Sequence, residues 1–180
     1  GNTDLTAAEI ELLRQERREY RMRERLAPAL DRFDYILIDC PPSLNILTLN
    51  ALIAAHGVLI PMQCEYFALE GLSALLETIE GVRRQANPGL AIEGLLRTMY
   101  DPRNSLTRDV SRQLLKHFGD RVFRTVIPRN VRLAEAPSHG LPVILYDRHS
   151  RGAVAYMALA GELRRKHQHQ DQHSGESPGT

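Results

Sequence analysis

"DYILIDCPPS", residues 34–43, is the stretch on which the fold turns. Tyr35, Ile36, Leu37 and Ile38 run without a polar break into Asp39, and Cys40, two prolines and Ser43 follow. A short, continuous apolar run bounded by a turn signal reads as a strand buried on both faces, the habit of parallel sheets. Pro41 and Pro42 fix φ and withhold their N–H groups, so the strand stops there and the chain turns. That places Asp39 at the strand's C-terminal end, the edge where open α/β sheets bind ligands. A carboxylate at that edge has two uses. It caps a turn or a helix, or it holds a hydrated Mg²⁺ beside phosphates.

The rest of the chain sets the frame for that aspartate. Its 180 residues suffice for one domain with a core, and 43% hydrophobic with 25% charged residues is ordinary for a globular protein. The formal net charge of +1 does not by itself announce nucleic acid. Only Lys116 and Lys166 are lysines, so the positive charge is carried by arginine, which suits bidentate phosphate contacts as well as solvated helix faces. Cys40 and Cys64 sit in apolar contexts, as reduced thiols of a cytosolic protein do, with no Cys-x-x-Cys and no Cys/His set at zinc spacing. No apolar run reaches membrane-span length, and the first residues lack a signal-peptide pattern. Ser43, Ser73 and Ser138-His139 are present without a Gly-x-Ser-x-Gly elbow, which disfavours a serine hydrolase.

Periodicity predicts alternating helices and strands. "TAAEIELLRQERREYRMRERLAPAL" reads as one long amphipathic helix, opened by Thr6 and Glu9 at capping-box spacing and kinked or ended at Pro28. After "DYILID", Ser43 is the expected N-cap of a helix over "SLNILTLNALIAAH". "GVLIPM", "AIEGLLRTMY" and "RVFRTVI" are expected strands; "VILY" is a short fifth. "ALEGLSALLETIEGVRRQA", "TRDVSRQLLKHF" and "SRGAVAYMALAGELRRK" are expected helices, with "PRNVRLAEAPSHGLP" as a loop. The predicted fold is α/β, a mostly parallel sheet flanked by helices, formed by residues 1–166. Residues 167–180 form a polar tail with little to bury, expected to be disordered; its His167, His169 and His173 read as solvated rather than as a metal site.

Four stretches in order, "DYILIDCPPS", "IPMQCEYFALEGL", "VIPRNVRLAEAPSHG" and "YDRHSRGAVAY", closely resemble the ParA/Soj family of chromosome- and plasmid-partitioning ATPases, relatives of MinD. The resemblance runs from about residue 4 to about residue 166. It implies a P-loop NTPase fold of the deviant Walker A class, with ATP and Mg²⁺ as cofactors. It implies that Asp39 is the Walker B carboxylate, acting on Mg²⁺ through water. It implies that Pro128 and Asn130 border the adenine, although a proline-ordered surface loop accounts for the same residues. Arg103 in "YDPRNSL" and Arg132 in "NVR" match the family's arginines for non-specific DNA binding; without that context they are solvated loop residues. Glu65, Tyr66 and Glu70 would lie near a dimer face, or Glu65 and Glu70 simply favour a helix N-terminus.

The resemblance further implies a cytoplasmic, nucleoid-associated protein that cycles between an ATP-bound, DNA-binding homodimer and a released monomer, with hydrolysis stimulated by a ParB-like partner; membrane contact is not expected, because the tail "RRKHQHQDQHSGESPGT" has no apolar face. The family's KGGxGKT-type loop has no counterpart, since no Gly-x-x-x-x-Gly-Lys-Ser/Thr occurs and neither lysine follows a glycine. The chain is therefore expected to be the C-terminal portion of such an ATPase, inactive alone and, with a gap or a re-paired edge in its sheet, unstable, oligomeric or rearranged. The alternative is a truncated remnant that binds DNA or a partner without hydrolysing ATP.

Overall fold

A computed structural model describes residues 10–12, 14–41 and 43–174, with side chains through residue 168. The chain divides into two compact units, residues 1–58 with 72–92 and residues 59–71 with 93–180.

In the first unit, the expected long helix over the N-terminal stretch is interrupted. Arg17 adopts a left-handed conformation with φ 52°. A 3₁₀ turn Arg18–Tyr20, helix α1 Arg21–Leu26 and a second 3₁₀ segment Ala27–Arg32 follow, with Pro28 in that segment's first turn. The capping-box pair Thr6 and Glu9 lies outside the described residues. The tertiary cause of the irregularity is Asn50 of helix α2, Ile46–Ala54. Its Nδ2 donates to the Arg18 carbonyl at 2.9 Å and its Oδ1 accepts from Met22 N–H at 3.0 Å. Those two backbone groups are an i, i−4 pair, so a buried side-chain amide stands inside what would be a helical ladder.

Helix α2 is capped by Asn45 rather than Ser43. Asn45 Oδ1 accepts from the N–H groups of Leu47 and Thr48, and the Ser43 carbonyl instead receives the Thr48 hydroxyl at 2.7 Å. At its other end, Asn87 Nδ2 donates to the carbonyls of Leu52 and Ala55.

"DYILID" is not a strand: residues 35–40 carry no regular secondary structure. Leu37 is 87% exposed, and Tyr35 and Ile36 are exposed too. Apolar patterning supplies a strand's faces but not its ladder. Among the described residues no strand pairs with this segment, so no ladder forms.

The sheet has the order β1 (Gly57–Gln63), β2 (Ala91–Tyr100), β3 (Val122–Pro128). Helix α3, Ala68–Gln85, joins β1 to β2, and helix α4, Ser105–Phe118, joins β2 to β3. β2 and β3 run parallel, with Tyr100 opposite Pro128 at their C-terminal ends. The fold is the predicted α/β type, a parallel sheet flanked by helices.

Within the second unit, the two faces of β2 alternate as a strand must. Leu96 joins Phe123 and Ile127 of β3 in a buried cluster, against which Leu159 and Leu163 of helix α7 pack. Arg97 instead meets Ser111 of α4. Gly94 has φ 156°, and a Cβ there would lie 2.8 Å from the Phe123 ring and 2.9 Å from the Arg121 carbonyl, so β2 and β3 approach this closely only at glycine. β1 and β3 are the two edges of the three-stranded order. Pro61 is tolerable because it lies on an edge strand. At β3, the Glu162 carboxylate accepts from the N–H groups of Arg124 and Thr125 at 2.7 and 2.9 Å.

Beyond β3 the structure departs from expectation three times. The stretch read as a loop holds helix α5, Val131–Glu135, and a 3₁₀ turn Ala136–His139. "VILY" is a helical turn, α6 Val143–Tyr146, because the Pro142 carbonyl collects the N–H groups of Leu145 and Tyr146. Helix α7 runs from Arg151 to Ser174, well into the segment expected to lack order. His167 Nε2 lies 3.0 Å from Glu93 Oε2, and Lys166 also contacts Glu93. Among the described residues no helix is long and apolar enough to cross a membrane.

Candidate functional site

In the second unit, the C-terminal ends of the three strands form one edge, and two loops leave it side by side. Arg129 N–H donates to the Tyr100 carbonyl at 3.1 Å, tying the loop after β3 to the end of β2. A cavity of about 220 Å³ opens there, lined among others by Cys64, Glu65, Met99, Asp101, Thr107 and Arg129. Met99 holds φ 50°, a left-handed conformation unusual for a residue with a side chain. Burial pushes the Cys64 thiol up, and the nearby charge of Arg97 only partly offsets this, so the thiol is not primed as a nucleophile.

Arg103 lies in the loop after β2, 89% exposed and clamped on Asp101. Its Nε and Nη2 each donate to that carboxylate at 3.0 Å, and its backbone N–H does so as well. These bonds, with the charges of Arg103 and Arg129 behind them, hold the Asp101 carboxyl down at about 2. Arg132, in α5, is tied to Glu135 at 2.8 Å and to Asp147 at 3.4 Å. The Tyr146 hydroxyl donates to Glu135 at 3.2 Å, and the His139 ring stacks on Tyr146. The hydrogen bond from Arg132 is the main reason Glu135 sits below the usual carboxylate range.

The carboxylate partners Asp101, Glu135 and Asp147 escaped sequence reasoning. Two of them leave a signal. Asp-Pro-Arg is an Asx-turn pattern, and Glu135 stands three residues after Arg132 once the stretch is helical.

Pro128 ends β3 half-buried, and Asn130 is the N-cap of α5. Asn130 makes no capping hydrogen bond, and its Oδ1 is buried without a partner. A buried acceptor left unpaired costs about 1–3 kcal/mol, so its natural complement is a donor from outside the chain.

Asp39 belongs to the first unit and is exposed. Beside it, Cys40 is exposed as well despite its apolar sequence context, and its Sγ lies 3.7 Å from the Ile38 carbonyl. Partial desolvation and then the Asp39 charge raise the Cys40 thiol. Tyr66 and Phe67, after β1, form an edge-to-face pair with both rings largely exposed.

A parallel sheet with its polar residues gathered beyond the strand C-termini defines the class as an open α/β fold with its ligand edge there, and comparison with solved structures narrows it. Cobyrinic acid a,c-diamide synthase from Mycobacterium smegmatis, with bound ADP and magnesium, superposes with a TM-score of 0.74 at 38% identity, covering 92% of this chain and 60% of that one. The family model described as an AAA domain matches residues 1–92. The chromosome partitioning protein ParA of Caulobacter vibrioides (strain NA1000 / CB15N) is 54% identical over 165 residues, 91% of this chain and 62% of its own length. The sporulation initiation inhibitor protein Soj of Bacillus subtilis is 55% identical over 159 residues, 88% of this chain and 63% of its own length. The chain belongs to this AAA-domain family, in its ParA/Soj group of partitioning ATPases. It spans less than two thirds of the length of these relatives.

Proposed function

We propose that the chain is the part of a ParA/Soj-type ATPase that supplies the base-binding loop, the Mg²⁺-facing carboxylate and the DNA-facing arginines for chromosome or plasmid partitioning. The observation that carries this reading is Asn130, whose buried Oδ1 lacks a donor on the loop beyond β3. An exocyclic amine of adenine is a donor of the right kind, and Pro128 offers an apolar ring edge to the base. Asp39, exposed and acceptor-only, suits the outer coordination of a Mg²⁺ ion that neutralises phosphate charge. Arg103 and Arg132 reach phosphates of DNA without reading bases, and a homodimer formed in the ATP state adds their weak contacts together. A ParB-like protein is the partner that stimulates hydrolysis.

The exposed residues Tyr35–Leu37 support one further element of this reading. In the full-length protein a strand from outside this chain pairs with residues 34–39 and covers them. The chain alone then lacks ATPase activity and associates through this segment.

The test is nucleotide binding by the full-length protein, followed with a ribose-labelled fluorescent ATP. Asn130→Ala should weaken binding about tenfold, since it removes the partner of a buried polar group. Asp39→Ala should abolish the dependence on Mg²⁺ and the hydrolysis. Wild-type protein that binds no adenine nucleotide, or that binds it unchanged after both substitutions, overturns the reading.

A further inference from the structure

Gly152 lies one residue into α7 and is buried. A Cβ placed on it would stand 2.5 Å from Leu133 Cγ and 2.8 and 3.0 Å from that side chain's two Cδ atoms. Ordinary contact begins near 3.4 Å, so a methyl group needs almost 1 Å that is not there. Leu133 cannot easily swing aside, because it also packs against the buried cluster of Leu96, Phe123 and Ile127. Relief that keeps Leu133 on that cluster requires α5 and the start of α7 to move apart. α5 is only five residues long, and Asn130 is its N-cap.

The residues just before α7 touch α5 through polar groups. Asp147, whose carbonyl accepts the Ser150 hydroxyl, pairs with Arg132, and Ser150 Oγ in turn accepts from Ala153 N–H at the start of α7. Tyr146 reaches Glu135. Thus α5 is seated by one apolar contact at a glycine and by two polar contacts on either side of it.

We propose that Gly152 is a positioning residue for nucleotide-base recognition: the absence of a side chain there sets the depth at which Leu133 seats α5, and thereby the place of Asn130. This rests on the nucleotide reading above. Gly152 touches no ligand; it acts through Leu133 on a residue that does.

The experiment compares full-length wild type, Gly152→Ala, Leu133→Ala and the double variant, by competition of ATP, GTP and inorganic tripolyphosphate against a ribose-labelled fluorescent ATP. In Gly152→Ala, ATP affinity and the preference for ATP over GTP should both fall about tenfold, a misplacement near 1 Å being enough for that, while tripolyphosphate competes as in wild type. Removing the clashing carbons in the double variant should restore the preference. A purely structural defect would weaken all three competitors together. A folded Gly152→Ala with the wild-type ATP:GTP ratio overturns the proposal, as does a folded double variant in which the ratio stays low. If Gly152→Ala alone does not fold, the double variant decides. Wild-type protein without any preference for adenine would instead overturn the nucleotide reading.

Discussion

Asn50 is bonded to Met22 in place of that residue's own helical partner: its Oδ1 accepts the Met22 N–H at 3.0 Å, and its Nδ2 supplies the Arg18 carbonyl that the N–H would otherwise have met. Asn50 is 1% exposed, so both bonds are shielded from water. Asn50→Ala should lower the unfolding free energy by about 2 kcal/mol, the penalty for stranding buried polar groups less what the helix recovers by closing its own bond. Urea unfolding measures the loss, and far-UV circular dichroism should show helicity unchanged or slightly raised. A clear fall in native helicity would show that the amide supports the turn rather than interrupting a helix.

Arg97 is the second buried polar residue whose role is structural. It is 8% exposed and has no carboxylate among its hydrogen-bond partners, which are Ser111 Oγ and the carbonyls of Phe123 and Arg124 on β3; its Nε has none. Truncation strands those acceptors and leaves a void. Arg97→Ala should therefore cost about 3 kcal/mol, with Arg97→Lys in between because a point charge cannot span both carbonyls. Chemical denaturation checks the order. Equal stability of the alanine variant and wild type would mean that the guanidinium contributes nothing net.

These two residues also show how far the sequence could be read. The three strands that formed, β1 to β3, announced themselves as continuous apolar runs, and each found a neighbour in the order β1-β2-β3. "DYILID" carried the same pattern and formed no ladder, because pairing is a property of two segments and pattern a property of one. The break at Arg17 and the shift of the α2 cap from Ser43 to Asn45 came from side-chain amides meeting backbone groups, which local periodicity does not encode. At the candidate site, the resemblance singled out Asn130, while its buried Oδ1 without a partner is a property of the fold alone. The carboxylates that hold Arg103 and Arg132 were not, since the helix carrying Arg132 and Glu135 was read as loop.

In the DNA-binding role proposed above, Arg103 and Arg132 must each leave a carboxylate, since both are already paired. Exposed pairs are worth little, so a polyanion competes for them readily. In the full-length protein, Arg103→Ala or Arg132→Ala should weaken DNA binding several-fold and reduce the slope of log affinity against log salt by about 1, with ATP affinity near wild type. Asp101→Asn should do the reverse, tightening DNA binding up to about fivefold, because it frees Arg103 without removing it. Filter binding across a salt series measures all three. DNA retention that is the same for every variant would remove both arginines from the interface.

Acid should destabilise the chain in a specific window. Asp101 is held at about 2 against an ordinary 3.8, and Glu135 and Glu162 sit below an ordinary 4.5. For Glu162, burial pushes upward, but hydrogen bonds from Thr125 and Arg124 outweigh it. A carboxyl depressed on folding stabilises fully above its unfolded value, and the contribution disappears as pH falls through its folded value. The melting temperature should thus be level from neutral pH to about 5 and decline from about 4.5 toward 2. Asp101 and Glu135 are on the surface and screened by solvent, so Glu162→Gln should flatten this decline more than Asp101→Asn. An unchanged acid limb in Glu162→Gln would locate the linkage elsewhere.

Leu37 tests whether residues 34–39 await a neighbour. At 87% exposure it contributes almost nothing to the fold of the chain alone. Leu37→Ser should therefore leave that chain's unfolding free energy within about 0.5 kcal/mol of the parent, as surface substitutions do, while reducing its self-association in sedimentation or light scattering. In the full-length protein, where the segment is proposed to become an interior strand, the same substitution should cost about 3 kcal/mol through lost apolar burial and a hydroxyl left in the core. The difference between the two measurements is the decisive quantity. A small, equal effect in both would mean that no strand covers this segment, and that Asp39 is not carried to the sheet's ligand edge in the way the partitioning reading requires.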